Sequence, residues 1–208
     1  MKLQPENGIV VGVVVDLDDP EGAGRVRVRF PYLGDAESAW ARLVVLMAGG
    51  GRGTFFRPEV GDEVLVAFEH GEPRRPYVLG GLWSRVDRHP EGGPATENNL
   101  RLIQSRSGHV LRFDDTAGSE KIEILDKDGQ RKVILDSSGQ KIRIVCEAGD
   151  VEVAAKAGTV KVEASQVEVA ATDSLKLTAA RIEVKAQSTL ELSAGGPLTV
   201  KGAVINLN

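Results

Sequence analysis

The chain has 208 residues, 41% hydrophobic and 27% charged, with 26 basic against 30 acidic side chains and a net charge of −4. That balance excludes a strongly basic nucleic-acid binder, because phosphate neutralisation supplies most of such affinity. No apolar run reaches the ~18 residues of a membrane-spanning helix, and Met1–Glu6 lacks the apolar core of a secretory signal. The single cysteine, Cys146, can neither staple a fold nor build a thiolate metal site alone. The expectation is a chain that folds in the cytoplasm.

Composition divides the chain near residue 95. Eight of the nine aromatic residues and eight of the nine prolines lie before it. In the first part, Ile9 to Val15 is a β-branched run, and Asp18-Asp19-Pro20-Glu21-Gly22 is turn chemistry. Arg25 to Phe30 alternates strictly, which puts Val26, Val28 and Phe30 on one face of a strand. Trp40–Leu46, Glu63–Phe68 and Tyr77–Leu82 read as further strands, and no stretch has helical periodicity with caps. Five short strands in about 80 residues suit a small barrel of the OB type. Asp87 to Pro94, rich in Pro and Gly, reads as a linker.

The second part repeats a unit of two apolar residues flanking one charged or polar residue. Its first members are Leu111/Phe113, Ile122/Ile124 and Val133/Leu135. Then come Ile142/Ile144, Val151/Val153, Val160/Val162, Val167/Val169, Leu175/Leu177, Ile182/Val184, Leu190/Leu192, Leu198/Val200 and Ile205/Leu207. The spacing tightens from 11 residues to seven or eight. Gly108, Gly118, Gly129, Gly139, Gly149 and Gly158 mark the wider early turns, and Ala and Ser serve later. A short fixed period signals a solenoid or repeated array. The pairs from Ile142/Ile144 to Leu198/Val200 form one aliphatic stripe, the expected needle core. The residues between them, such as Glu123, Arg143, Glu152, Lys161, Glu168, Lys176, Glu183 and Glu191, face the other way as a charged coat. Strands this short cannot bury the stripe alone. A single-chain β-helix or an intertwined trimer would cover it, and the trimeric prism leaves no free lateral edges.

Three segments carry a family resemblance. The first joins Arg27-Val28-Arg29-Phe30-Pro31, Trp40-Ala41-Arg42 and Ala48 to Gly53. The second runs from Pro58 to Phe68, then Gly71 to Pro76 and Leu79-Gly80. The third is Ser107 to Thr116, with Gly118 and Glu120 to Ile124. In this order, with the repeat behind them, they resemble phage baseplate assembly protein V and the C-terminal spike part of VgrG proteins. The resemblance implies an all-β homotrimer. An OB-fold collar (1–86) would be followed by a linker (87–98) and an intertwined triple-stranded β-helix needle (99–208). It implies a structural, non-enzymatic spike that pierces a target membrane, assembles into a phage tail or tail-like particle and is expelled with the inner tube. About eight residues precede the OB part, so a separate hub protein is implied, with the Gly49, Gly50, Gly51, Arg52 and Gly53 loop as a hub-facing element. A PAAR-type tip protein would dock on Val204, Ile205, Asn206, Leu207 and Asn208.

No catalytic, metal or cofactor set is expected. The 49–53 loop lacks the Gly-Lys-Ser/Thr ending of a P-loop. Asp114, Asp115, Asp126 and Asp128 lack EF-hand spacing and read as turn carboxylates. Ser107 and His109, on the same side of one strand, have no assignable acid. Cys146 shares parity with Ile142 and Ile144 and reads as an inward, inert thiol. The alternative is an OB-fold oligonucleotide-binding module on a trimeric stalk, using the Arg25, Arg27 and Arg29 row with Phe30, Tyr32 and Phe68 as stacking rings. A surface adhesin and a cryptic hydrolase fit less well.

Overall fold

The computed structural model describes residues 8–91 and 96–206. Part of the expected linker (92–95) and the last two residues of the expected tip-docking segment, Leu207 and Asn208, lie outside the described residues. The chain divides into two units, 1–151 and 152–208.

The first unit opens with a barrel. Its strands are β1 (Val10–Asp16), β2 (Arg27–Phe30), β3 (Ala36–Glu37), β4 (Arg42–Leu43), β5 (Ala48–Gly49), β6 (Arg52–Gly53), β7 (Glu63–Phe68) and β8 (Pro76–Gly81). Six of them form one sheet in the order β3-β2-β1-β7-β8-β4, antiparallel except for the β4/β8 pair. Val26 and Ala41 exchange both backbone hydrogen bonds, at 3.0 and 2.7 Å, which ties the β2 edge to the residue before β4 and closes the sheet on itself. Val14, Val26, Val28, Phe30, Ala41, Val64, Val66 and Val78 form the buried core. Val26, Val28 and Phe30 share a face as their alternation requires. The all-β, OB-like reading of this part therefore holds.

Two backbone positions are constrained by close approach. A Cβ on Gly12, in β1, would sit 2.3 Å from Val28 Cγ1 and 3.0 Å from the Arg29 carbonyl oxygen. Only hydrogen fits where β1 crosses β2. Gly53 has a φ of +145°, and a Cβ there would meet the Met47 carbonyl oxygen at 2.4 Å.

The expected Trp40–Leu46 strand is shorter than its sequence suggests. Only Arg42–Leu43 pairs as β4, and Val44 adds one hydrogen bond to the Val78 carbonyl. Beyond it the chain leaves the sheet, and Leu46 is 96% exposed. The apolar run continues into the base of the exposed β5/β6 hairpin. The only helical pieces among the described residues are two three-residue 3-10 turns, Pro31–Leu33 and Glu69–Gly71.

The same unit continues into an antiparallel meander of β9 (Leu100–Gln104), β10 (Val110–Asp114), β11 (Lys121–Leu125), β12 (Arg131–Asp136) and β13 (Lys141–Cys146). Each hairpin closes on a residue with positive φ: Gly108, Gly118, Gly129 and Gln140. Tight reversals of an antiparallel pair need such residues, which explains the glycines of the first three turns, while in the fourth Gln140 and not Gly139 takes this conformation.

The second unit contrasts with this. Residues 152–206 carry no strand, and every described residue in them is exposed. The repeat reads as strands in sequence, but a strand exists only with a ladder partner, and the described residues of this chain supply none there.

Candidate assembly surface

The repeat register controls what the meander displays. Leu111 lies opposite Ile124, and Phe113 opposite Ile122. Ile122 and Ile124 lie opposite Leu135 and Val133, and those in turn lie opposite Ile142 and Ile144. The apolar pairs therefore align into one ribbon crossing the sheet. Ile103, Leu111, Ile124, Val133 and Ile144 line a shallow groove of about 660 Å³ on this face. Cys146 lies on the same face, half-buried, with its thiol donating to the Ala148 carbonyl at 3.3 Å.

The opposite face departs from a purely solvated coat. Glu123 has the expected parity but is only 5% exposed. It lies directly opposite Arg112 on β10 and Ile134 on β12. Arg112 donates to it from Nε at 2.8 Å and from a terminal nitrogen, and Lys121 Nζ lies 3.5 Å away. The coat here is a cross-strand ion pair, so parity gave the face but not the depth.

The expected needle core is not a buried core within one chain. Ile142 and Ile144, on the last strand of the meander, are exposed, and so is Val151 just after it. In the second unit, Val153, Val160, Val162, Val167, Val169, Leu175, Leu177, Ile182, Val184, Leu190, Leu192, Leu198 and Val200 are between 55% and 75% exposed. Val162, Val184 and Leu192, each the second member of its pair, are exposed at 72%, 65% and 71%. Among the described residues, no segment of the same chain covers these side chains. The physical reason is the missing ladder, since a stripe one side chain wide is covered only by strands beside and across from it.

Ion pairs in the second unit occur along single segments, Lys161 with Glu163 at 2.5 Å and Glu183 with both Arg181 and Lys185. Glu152, Glu168, Lys176 and Glu191 have no ion-pair partner among the described residues. Of the expected tip-docking residues, Val204, Ile205 and Asn206 are exposed.

The Gly49–Gly53 loop is the exposed β5/β6 hairpin. Gly51, with a φ of +65°, makes the reversal. With Arg25, Arg42, Met47 and Phe55 it borders a recess of about 750 Å³.

The groups weighed for chemistry are engaged locally. Asp114 accepts the Thr116 N–H at 3.0 Å, and Asp115 pairs with Arg101 at 2.7 Å. Asp126 and Asp128 both face Arg131, at 2.5 and 3.8 Å. Thr116 hydrogen bonds hold the Asp114 carboxyl below its ordinary range, first through the side chain and then through the backbone. Ser107 lies in the turn before β10, not on a strand with His109 as its spacing suggested. Its hydroxyl meets that of Ser105 at 3.3 Å.

The arginine row that leads into β2 is likewise committed. Arg25 pairs with Asp19 at 2.6 Å, Arg27 with Glu37 at 2.5 Å and Arg29 with Asp35 at 2.6 Å. Asp19 also accepts the backbone N–H groups of Glu21, Ala23 and Arg25, which ties down the β1–β2 turn. The Arg25 side-chain hydrogen bond dominates and outweighs burial, so the Asp19 carboxyl lies well below the usual carboxylate range. Phe30, one of the three candidate stacking rings, is buried in the core against Phe68.

With this geometry in view, comparison with known proteins is informative. Residues 10–83, the barrel from β1 through β8, match the type VI secretion system/phage-baseplate injector OB domain. Over part of its length the chain is similar to VgrG-type spike proteins. It is 34% identical over 108 residues to the type VI secretion system spike protein VgrG3 of Vibrio cholerae serotype O1, covering 48% of this chain and 11% of that protein. It is 27% identical over 142 residues to the spike protein VgrG1a of Pseudomonas aeruginosa, covering 62% and 22%. It is 34% identical over 138 residues to VgrG4b of the same organism, covering 61% and 17%. The matches thus span roughly a tenth to a quarter of these relatives' length. They extend past the 74 positions of the OB match, into the repeat-bearing part of the chain.

Proposed function

We propose that this chain is the central spike of a contractile tail or injection system and works as a structural part, not as an enzyme. Three copies would intertwine through 152–206 into a prism with the Val, Ile and Leu pairs on its axis. The barrel of each copy would form a collar beneath it. The observation that carries this reading is the second unit itself. It has a regular aliphatic stripe, more than half exposed, in a segment with no strand pairing of its own. Ordering that backbone costs ~1–2 kcal/mol per residue. Burial at ~25 cal/mol per Å² of apolar area is the only offset this composition offers, and it needs other strands to cover it.

In this reading the collar meets a separate hub protein through the Gly49–Gly53 hairpin. The Val204–Asn208 end receives a PAAR-type tip protein, and sheath contraction drives the assembly through a membrane. The working division is collar 1–86, linker 87–98 and needle 99–208, with the in-chain meander of 100–146 opening the needle and the intertwined part following from 152. Assembly would begin in the cytoplasm, on a phage tail or tail-like particle. The oligonucleotide-binding alternative loses its footing because Arg25, Arg27 and Arg29 are each neutralised by a carboxylate and Phe30 is buried.

The test is reconstitution with a PAAR-type protein. The full chain should retain it on an affinity column, and a variant lacking residues 204–208 should lose it while keeping its oligomeric state. Equal retention by both would remove the proposed docking end.

A further inference from the structure

The outward residues of the second unit follow a rule that solubility alone does not require. Taken one per repeat between the apolar pair, the first five are Glu152, Lys161, Glu168, Lys176 and Glu183, which alternate in sign, and Glu191 then ends the alternation with the same sign as Glu183. We infer that this alternation is a register code over residues 152–183, in which each outward charge pairs with the next repeat's outward charge from a neighbouring copy of the chain.

The inference rests on the trimeric reading above and follows from its symmetry. A chain that turns a corner after each repeat places successive repeats on successive faces of a three-sided prism. Threefold symmetry puts the same repeat of the other two copies on the other two faces at the same height. The repeat directly above repeat n of one copy is therefore repeat n+1 of a neighbour. Under this rule Glu152 meets Lys161, Lys161 meets Glu168, Glu168 meets Lys176 and Lys176 meets Glu183, each across two chains. A slip by one repeat would set like charges together at each step within 152–183, and like charges directly opposite are destabilising.

Three observations support a second copy as the occupant. In the meander, where successive repeats pair within one chain, the same positions of two repeats form the Arg112–Glu123 ion pair behind their apolar pairs. Among the described residues after Gly149, none has a positive φ, so the turn device that closes every in-chain hairpin of the meander is absent. Glu168 and Lys176 find no ion-pair partner among the described residues of their own chain. Lys161 and Glu183 also have same-segment partners, so the middle step carries the sharpest test.

Neighbouring strands lie ~4.7–4.9 Å apart, within the Cα separation a disulfide accepts. In a Cys146→Ser background, full-length chain carrying Glu168→Cys and Lys176→Cys together should oxidise in air to a covalent trimer on a non-reducing gel. Each single variant should stay uncrosslinked. A second pair of variants covers any folding defect of the first. Glu168→Lys should lower the dissociation temperature of the trimer by several degrees, and adding Lys176→Glu should restore it. An intramolecular disulfide, or a trimer whose double variant does not crosslink, overturns the register code while leaving the trimer standing. So does a trimer indifferent to Glu168→Lys. A parent chain with the molar mass of one copy overturns the trimer itself.

Discussion

Val169→Asp separates a lone chain from an intertwined one by the size of its effect. In the single chain Val169 is 68% exposed and touches no core. For such a site a substitution changes stability by about 0.5 kcal/mol or less. On the axis of a trimer the same change places three carboxyl groups against aliphatic neighbours. Burying a polar group without a partner costs ~2–7 kcal/mol. Three copies therefore lose ~6 kcal/mol or more, before electrostatic repulsion is counted. That is most of the ~5–15 kcal/mol by which folded proteins are stable. The assay is the yield of trimer that resists detergent on an unheated gel, with Glu191→Gln as a solvent-facing control. The account predicts that Val169→Asp abolishes this band, that Leu177→Asp, at a site equally exposed in the single chain, does the same, and that the control keeps it. Normal trimer yield from Val169→Asp would refute the inward parity of the stripe.

Other outcomes follow from the barrel. Gly12→Ala forces a methyl into Val28 and the Arg29 carbonyl, and overpacking of this kind costs ~1–3 kcal/mol. Phe30→Ala empties the largest core side chain and should cost ~3–5 kcal/mol. Denaturant unfolding followed by tryptophan fluorescence reads both, because Trp40 and Trp83 lie in this part of the chain. Because the Asp19 carboxyl is depressed in the folded state, its contribution is present above its unfolded value of ~3.9 and is lost as pH falls through the folded one. Asp19→Asn should therefore be less stable than the parent near pH 7 and should converge with it under acid, measured as unfolding midpoints across pH. A constant gap down to strong acid would remove Asp19 as the acid-sensitive tie of the β1–β2 turn.

Much of the barrel was legible because its strands are half-buried, and half-burial writes itself as alternation. Val26, Val28 and Phe30 are the clearest case. The β4 region was misread in length because Val44, Leu46 and Met47 are apolar and exposed, and a run of apolar residues looks the same whether it pairs or leads into a hairpin. β3 has two residues and the 3-10 turn at Pro31 has three, too few for any period to register. On the assembly surface, the i, i+2 rule set the face of each apolar pair through the meander. It could not foresee that Glu123 would be covered, since depth depends on Arg112 and Ile134 across two other strands. In the second unit the period is plain in sequence, yet Val162, Val184 and Leu192 stand exposed because no described residue of the chain forms a ladder with them. The turn chemistry also changes after Gly149, visible beforehand only as glycine giving way to alanine and serine.

The account stands most directly on the number of chains in solution. Absolute molar mass by light scattering after size exclusion should give about three times the 22.2 kDa chain mass, eluting early for that mass as an elongated particle does. A mass of one chain would contradict the intertwined needle and leave the aliphatic stripe of residues 152–206 without its proposed cover.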